Sequence, residues 1–303
     1  MKVIYIREEL DTCDIVKRVI IRIKRALNII SRKEIDDKVF YYLPIFTSYN
    51  LSRLLLKRLS NKVNKMLDRD ESNIVALSKY LNEVTLFKNL LYANNVDILS
   101  GAYLFKCMSY KIVEYILSKP SFEEVTFLVN DLNSMNEDII EEVSKNVKKV
   151  NIVTNNINKF RKIEEYLYSE YGIMINISNN KRKSIIKARL ILNLDFPEEL
   201  INKYKIWDDA IIINMLYRVN IISKRFNGIN ISSYKIKMPS EYKVSGFSNE
   251  IIYESLIYNI HSFNDVKKKL IKDNVSIDKL IGNNGIINKI YFKKKLKSID
   301  KTG

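Results

Sequence analysis

EEVTFLVNDLNSMNEDIIEEVSKNVKKVNIVTNN, residues 123–156, contains a complete strand, helix and strand pattern. The apolar, β-branched run at 125–129 predicts a buried strand. Apolar residues at helical spacing follow, and residues 150–154 predict the next buried strand. A helix between two short apolar strands is typical of a parallel sheet that is covered on both faces.

The alternation continues towards the carboxyl terminus. A helix with apolar residues on one face ends at Gly172, and further strands are predicted at 173–178, 190–195 and 210–215. A short helix is predicted at 181–188. We therefore expect a doubly wound parallel sheet in this part of the chain.

This order of elements resembles the nucleotide-binding half of the shikimate dehydrogenase and glutamyl-tRNA reductase type of Rossmann domain. In that family the second strand ends in an Asn-Arg-Thr-like turn, and the helix that follows carries a Lys. Here Thr154, Asn155 and Asn156 occupy the turn, Lys159 begins the helix, and a later apolar strand ends in Asp195. The resemblance covers about 90 residues and implies a Rossmann-like lobe with a place for NAD(P).

The loop after the first strand departs from the family. Family members have a Gly-rich loop there, because the backbone approaches a pyrophosphate closely. Residues 130–136 read NDLNSMN, contain no glycine, and include Asp131, which would repel a phosphate. We therefore expect no cofactor, and binding of NAD(P) is the open alternative.

If a dinucleotide binds, its contacts are expected at the ends of the first two strands. A capped helix start and ordinary turn chemistry explain the same residue types without any ligand. Asp195, just before Pro197, is expected to cap a short helix. The candidate cofactor-binding residues are Asn130, Asn133, Ser134, Thr154, Asn155 and Asn156.

The amino-terminal half predicts a smaller α/β layer with two amphipathic helices, at 14–30 and 51–67. Val16, Val19, Ile23, Leu27 and Ile30 of the first helix are expected to pack inward. The basic residues expected on the outer faces, as a candidate nucleic-acid-binding patch, are Arg18, Arg22, Arg25, Arg58, Lys62, Lys65 and Arg69.

The predicted architecture is a two-lobed α/β protein. Residues 1–120 form the amino-terminal α/β domain, 121–249 the Rossmann-like domain, and 250–303 a helical segment that packs back on the lobes. A long helix is expected at 102–119, and a hairpin or extended pair at 219–239.

Composition limits the classes of function. The formal net charge of +16 favours nucleic acid or an anionic surface as a partner, although the many Ile, Asn, Lys and Tyr residues are also typical of AT-rich, clostridium-like genomes. Two cysteines and one histidine exclude a structural zinc site of the common kinds from this chain alone, and no metal is expected. No run of about 18 apolar residues or signal peptide is found, so we expect a cytoplasmic protein.

Three functions follow as hypotheses. The first is a diverged Rossmann-like protein that is non-catalytic and acts as a scaffold, regulator or ligand sensor. The second is an NAD(P)-dependent oxidoreductase with an atypical phosphate loop. The third is a basic protein associated with nucleic acid.

Overall fold

The computed structural model describes residues 2–9, 15–45, 51–117, 124–179, 185–215, 219–223, 225–287 and 290. The chain divides into two compact units: unit 1 is Met1–Gly101 with Met238–Ile260, and unit 2 is Ala102–Lys237 with His261–Gly303. Each unit thus contains two separate stretches of chain. The domain limits expected at residues 120 and 249 stay predictions, because compactness does not test which segments fold independently.

Unit 1 is built on a five-stranded sheet of order β2-β3-β1-β4-β5. Neighbouring strands are parallel except for the antiparallel pair β2 and β3. The strands are β1 (Ile4–Glu8), β2 (Ser31–Ile35), β3 (Lys38–Leu43), β4 (Ile74–Leu77) and β5 (Asp97–Leu99). The helices are α1 (Ile15–Ala26), α2 (Arg53–Arg69), α3 (Lys79–Glu83), α4 (Thr85–Tyr92) and α10 (Asn249–Ile257), with a short 3-10 helix at Ser240–Tyr242.

Helix α2 covers one face of this sheet. Its buried side chains Leu59 and Val63 belong to the same apolar cluster as Ile4 and Ile6 of β1. Spacing at three and four residues places these side chains on one side of the helix, as the sequence predicts.

Helix α1 forms where it is predicted, but the prediction that its apolar face packs inward is wrong. Val16, Val19, Ile23 and Leu27 are exposed, and of the five residues expected inside only Ile30 is buried.

The strand β2, which the sequence did not reveal, explains this exposure. Glu8 at the end of β1 pairs with Leu43, and Ser31 at the start of β2 pairs with Tyr42. The segment that contains α1 therefore leaves and re-enters the sheet at the same edge. A helix that covers a parallel sheet must instead run from one edge to the other.

Unit 2 is built on an eight-stranded sheet of order β13-β12-β11-β10-β9-β6-β7-β8. The strands are β6 (Glu124–Leu128), β7 (Lys149–Thr154), β8 (Met174–Asn179), β9 (Leu190–Asn193), β10 (Ile211–Asn214), β11 (Ile229–Lys237), β12 (Ser276–Gly282) and β13 (Gly285–Ile286). The helices are α5 (Ala102–Cys107), α6 (Ser109–Leu117), α7 (Ser134–Ser144), α8 (Ile157–Tyr171), α9 (Glu198–Ile201) and α11 (Phe263–Lys272).

The segment β8-β7-β6-β9-β10 is parallel throughout, and the direction of winding reverses between β6 and β9. This is the doubly wound order of a Rossmann-like sheet. The predicted fold class, an α/β protein with such a sheet in its second half, is confirmed.

Several local predictions in unit 2 are wrong. The long helix expected at 102–119 is two helices, α5 and α6. The hairpin expected at 219–239 contains one strand, β11, which pairs with β10 and β12. The carboxyl-terminal stretch carries β12 and β13 as well as helix α11. Of the short helix expected at 181–188, residues 181–184 lie outside the described residues and 185–187 form a turn.

Gly228 lies at the entrance to β11, in the pair Asn227-Gly228 that was expected to form a hairpin turn. A Cβ atom at this position would lie 2.1 Å from the carbonyl oxygen of Ala210. The absence of a side chain therefore lets the chain enter β11 against the start of β10, and Asn227-Gly228 precedes a parallel strand instead of closing an antiparallel pair.

Candidate functional site

The candidate site lies at the carboxyl edge of the unit 2 sheet, between β6 and β9. Doubly wound sheets bind ligands at this kind of position, because the chain leaves neighbouring strands in opposite directions and opens a crevice. The loop 129–133 follows β6, and residues 194–197 follow β9.

The carboxylate of Asp195 occupies this crevice. Its Oδ1 and Oδ2 atoms accept hydrogen bonds from the backbone N–H of Asn130 at 2.8 and 2.9 Å, and Oδ2 accepts a third from the backbone N–H of Asp131 at 2.7 Å. These amides belong to the loop with which Rossmann domains hold a pyrophosphate. An internal anion thus takes up the donors that a dinucleotide would need.

The expectation that Asp195 caps the following helix is wrong. Helix α9 begins after Pro197, and no side chain makes a capping hydrogen bond there. Asp195 instead bonds across the crevice, because β6 and β9 are neighbours in the sheet.

Burial raises the pKa of the Asp195 carboxyl above its usual range. The hydrogen bonds from Asp131 and Asn130 oppose this shift, and the nearby charge of Lys106 opposes it further. Burial thus destabilises the ionised carboxylate, and the hydrogen bonds from the amides offset only part of this desolvation.

Hydrogen bonds join the loop after the first strand to the turn after the second strand. Asn130 Oδ1 accepts a hydrogen bond from the backbone N–H of Asn155 at 2.9 Å, and Asn156 Nδ2 donates to the carbonyl of Asn130 at 3.1 Å. Thr154 Oγ1 accepts from the backbone N–H of Asn156 at 3.0 Å. The structure thus brings these four candidate residues together, and their polar atoms bond to one another.

The start of α7 uses the next candidate residue as its cap. Asn133 Oδ1 accepts from the backbone N–H of Asn136 at 2.9 Å, and its Nδ2 donates to Asp131 Oδ2 at 3.2 Å. Ser134 is the exposed first residue of α7. The acidic Asp131 is therefore held beside the helix start, where it would repel an incoming phosphate.

A ladder of buried asparagines crosses the same edge of the sheet. Asn193 Nδ2 donates to Asn214 Oδ1 at 3.1 Å, and Asn214 Nδ2 donates to Asn230 Oδ1 at 2.6 Å. Asn230 Nδ2 in turn donates to the carbonyl of Val219 at 2.6 Å. All three side chains are at most 7% exposed. The ladder joins the ends of β9 and β10 to β11, and its side-chain amide groups form hydrogen bonds inside the protein.

Unit 1 has a comparable crevice, between β1 and β4, which sequence reasoning missed. The chain passes from β3 across β1 to β4, so the winding reverses there. Ser78 Oγ donates to Glu8 Oε2 at 2.5 Å and accepts from the backbone N–H of Leu81 at 3.2 Å. A carboxylate again bonds across the point of reversal. The acidic residue at the end of the first strand, Glu8, was the available signal.

The basic residues of the candidate nucleic-acid patch lie on two helices, α1 and α2, which pack differently against the sheet. Arg18 and Arg22 of α1 are exposed, and Arg25 is half-buried. On α2, Arg58, Lys65 and Arg69 are exposed, and Lys62 is half-buried. Helix α2 packs on a face of the sheet, whereas α1 returns to one edge. A single continuous patch stays a prediction.

No described helix is both long and apolar enough to cross a membrane. Within the same residues, no three His, Cys, Asp or Glu side chains are grouped so that they could hold a metal ion.

No protein-family model and no curated protein sequence matches the chain. Among solved structures, it is similar to L-tryptophan dehydrogenase from Nostoc punctiforme, with 11% identity over 99% of this chain and 80% of that one and a TM-score of 0.32. Shikimate 5-dehydrogenase from Listeria monocytogenes, in complex with shikimate and NAD, shows 10% identity over 89% and 96% and a TM-score of 0.32. Ornithine carbamoyltransferase from Pyrococcus furiosus shows 9% identity over 70% and 71% and a TM-score of 0.29. The resemblance to a shikimate dehydrogenase is thus one of layout.

Proposed function

We propose that unit 2 is a diverged Rossmann-like domain that does not hold a dinucleotide in its first loop, and that the protein is a non-catalytic scaffold or regulator. The observation that carries this proposal is the set of hydrogen bonds from Asn130 and Asp131 to the Asp195 carboxylate. The sheet keeps its Rossmann-like order, but the anion at its point of reversal belongs to the protein.

Electrostatics supports the same reading. A pyrophosphate could reach the loop amides only after the Asp195 side chain had left them. Two anions at this short range repel each other, and Asp131 adds a third negative charge at the loop. The oxidoreductase alternative therefore requires Asp195 to move or to bind a proton when the cofactor arrives.

Removal of the internal carboxylate tests the proposal. Thermal shift and calorimetric titration would compare the wild-type protein with Asp195→Ala, using NAD, NADP and inorganic pyrophosphate as ligands. We expect no saturable response of the wild-type protein. We expect pyrophosphate to stabilise Asp195→Ala, because the amides of Asn130 and Asp131 are then available to an external anion.

Glu199→Ala is the matched control. Glu199 is an exposed acid on α9, four residues from Asp195, and its removal changes the net charge equally without freeing the loop amides. Saturable binding of NAD or NADP to the wild-type protein, with hydride transfer to a carbonyl substrate, would overturn the proposal and favour the oxidoreductase. An equal response of both variants to pyrophosphate would show that net charge, not the loop, governs anion binding.

A further inference from the structure

Helix α1 presents an apolar stripe to solvent. The exposed fractions are 65% for Val16, 47% for Val19, 46% for Ile20 and 54% for Ile23, whereas Ile21 is 5% exposed. Successive residues are about 100° apart around an α-helix, so the four exposed side chains share one stripe and Ile21 lies nearly opposite. The helix therefore contacts its own unit through the side opposite to the stripe.

The rest of the helix surface is basic. The twelve residues IVKRVIIRIKRA contain five Lys and Arg residues and no acid. Arg22 flanks the stripe on one side and Lys24 on the other, whereas Arg18 lies on the side of Ile21, away from the stripe. An exposed apolar stripe between flanking basic residues is the pattern of helices that lie in the interface of an anionic bilayer.

The helix is fixed at the sheet edge by its last turn. Lys24 Nζ donates to Glu9 Oε1 at 3.0 Å and to Ser31 Oγ at 2.8 Å. These bonds tie the helix to the ends of the flanking strand segments without covering the stripe. The apolar side chains are thus presented by a formed helix, which lowers the ordering cost of binding to a surface.

We propose that α1 is a membrane-surface helix that binds anionic lipid, with the stripe of Val16, Val19, Ile20 and Ile23 inserted at the level of the head groups. The guanidinium group of Arg22, beside the stripe, then meets the lipid phosphates. This inference does not depend on whether the site at Asp195 in unit 2 binds a dinucleotide.

Charge and apolarity together favour this partner over the others. Nucleic acid would attract the arginines but would leave four aliphatic side chains in water. A second copy of the helix would cover the aliphatic side chains, but α1 contains no acid that could pair with Arg22 at the edge of the stripe. An anionic bilayer complements both features at once.

Co-sedimentation of the full chain with phosphatidylcholine vesicles, with and without phosphatidylglycerol, tests the proposal. We expect the wild-type protein to bind the anionic vesicles more strongly than the neutral ones. Val19→Ser with Ile23→Ser should weaken binding at least tenfold, because the inserted apolar area is lost. Arg22→Gln should weaken it about fivefold, and a higher salt concentration should also weaken it.

Matched controls come from helices of unit 2. Ile271→Ser removes an aliphatic side chain that is 59% exposed on α11, and Arg161→Gln removes an exposed charge on α8. Both should leave vesicle binding unchanged. Circular dichroism and thermal unfolding check that each variant is folded. If the Val19→Ser, Ile23→Ser protein is misfolded, Ile20→Ser replaces it, and it should likewise weaken vesicle binding.

Four results would overturn the proposal. The first is no binding of the wild-type protein to anionic vesicles, and the second is equal binding to neutral ones. The third is undiminished binding of the Val19→Ser, Ile23→Ser protein. The fourth is a wild-type dimer that the same substitutions convert to a monomer, which would show that a second copy covers the stripe.

Discussion

Asp195 Oδ1 lies 2.8 Å from the backbone nitrogen of Asn130, so a side chain two residues beyond the end of β9 accepts a hydrogen bond from the loop that follows β6. The two residues are 65 positions apart in the sequence. In unit 1, Glu8 and Ser78 are likewise joined across the point where the winding of the sheet reverses. In both units a buried or half-buried carboxylate bonds to protein donors at the place where a doubly wound sheet receives its ligand.

Replacement of Asp195 should show what the carboxylate contributes to stability. Asp195→Ala leaves the amides of Asn130 and Asp131 without this acceptor, and we expect a loss of about 1–3 kcal/mol in the free energy of unfolding. Urea denaturation at neutral pH measures the loss. An unchanged free energy of unfolding would mean that water replaces the carboxylate without cost.

The dependence on pH should have a definite sign. Burial raises the pKa of Asp195 in the folded protein, so the folded state binds the proton more tightly than the unfolded state. Protonation of Asp195 therefore stabilises the fold at a pH below the unfolded pKa. This stabilisation is lost as the pH rises through the folded pKa. The stability of the wild-type protein relative to Asp195→Asn should therefore increase from neutral pH towards about pH 4. Urea denaturation of both proteins across this range provides the measurement, and a difference that shrinks in acid would contradict the assignment.

Ser78 both caps α3 and donates a hydrogen bond to the Glu8 carboxylate. Its replacement should therefore lower the free energy of unfolding more than the loss of a helix cap alone. Ser78→Ala removes the cap of α3 and leaves the buried Glu8 carboxylate without this donor, so we expect a loss of roughly 2–4 kcal/mol. Ser52→Ala is the control, because Ser52 caps α2 at an exposed position, and it should cost about 1 kcal/mol.

A double-mutant cycle separates the two roles of Ser78. If the contact with Glu8 matters, Ser78→Ala combined with Glu8→Gln should cost less than the sum of the single substitutions, by about 1 kcal/mol or more. Chemical denaturation of the four proteins gives the coupling. Strict additivity would assign the whole effect to the cap.

A carboxylate at the centre of the asparagine ladder should destabilise the folded protein. In Asn214→Asp an oxygen replaces the donor that lies 2.6 Å from Asn230 Oδ1, inside the protein. We expect a loss of about 3 kcal/mol or more at neutral pH. The loss should decrease in acid, because burial favours the protonated, neutral side chain.

Asn176→Asp provides the comparison for that experiment. Asn176 is exposed on the edge strand β8, so the same chemical change should alter the free energy of unfolding by no more than about 0.5 kcal/mol. Thermal or urea unfolding at two pH values distinguishes the positions. Equal effects at both would show that the ladder is hydrated.

Gly228 should be intolerant of any side chain. A Cβ atom would lie 2.1 Å from the carbonyl oxygen of Ala210, so Gly228→Ala must push β10 and β11 apart. We expect a loss of at least about 2 kcal/mol. Gly172→Ala, which meets no atom within 4 Å but has a φ of +65°, isolates backbone strain and should cost about 1 kcal/mol. Comparable urea midpoints for the two variants would contradict the predicted steric clash.

The sequence by itself determined most of the unit 2 sheet and part of its candidate site. The runs that became β9 and β10 are buried throughout, and those that became β6 and β7 are buried except at Glu124, Lys149 and Asn151, as expected of strands covered on both faces. The glycine-free loop at 130–136 was equally visible, because the capacity of a loop to approach a phosphate depends on the residue types within it.

The tertiary structure alone decided which groups meet. The hydrogen bonds that Asn130 and Asp131 donate to Asp195 form because β6 and β9 are neighbours in the sheet, and strand order is not a local property of either segment. Strand β2 pairs antiparallel with β3 and so returns α1 to the sheet edge, which exposes an apolar face that periodicity placed inside. Helical periodicity shows that a helix has an apolar face, but what covers that face depends on where the chain must go next.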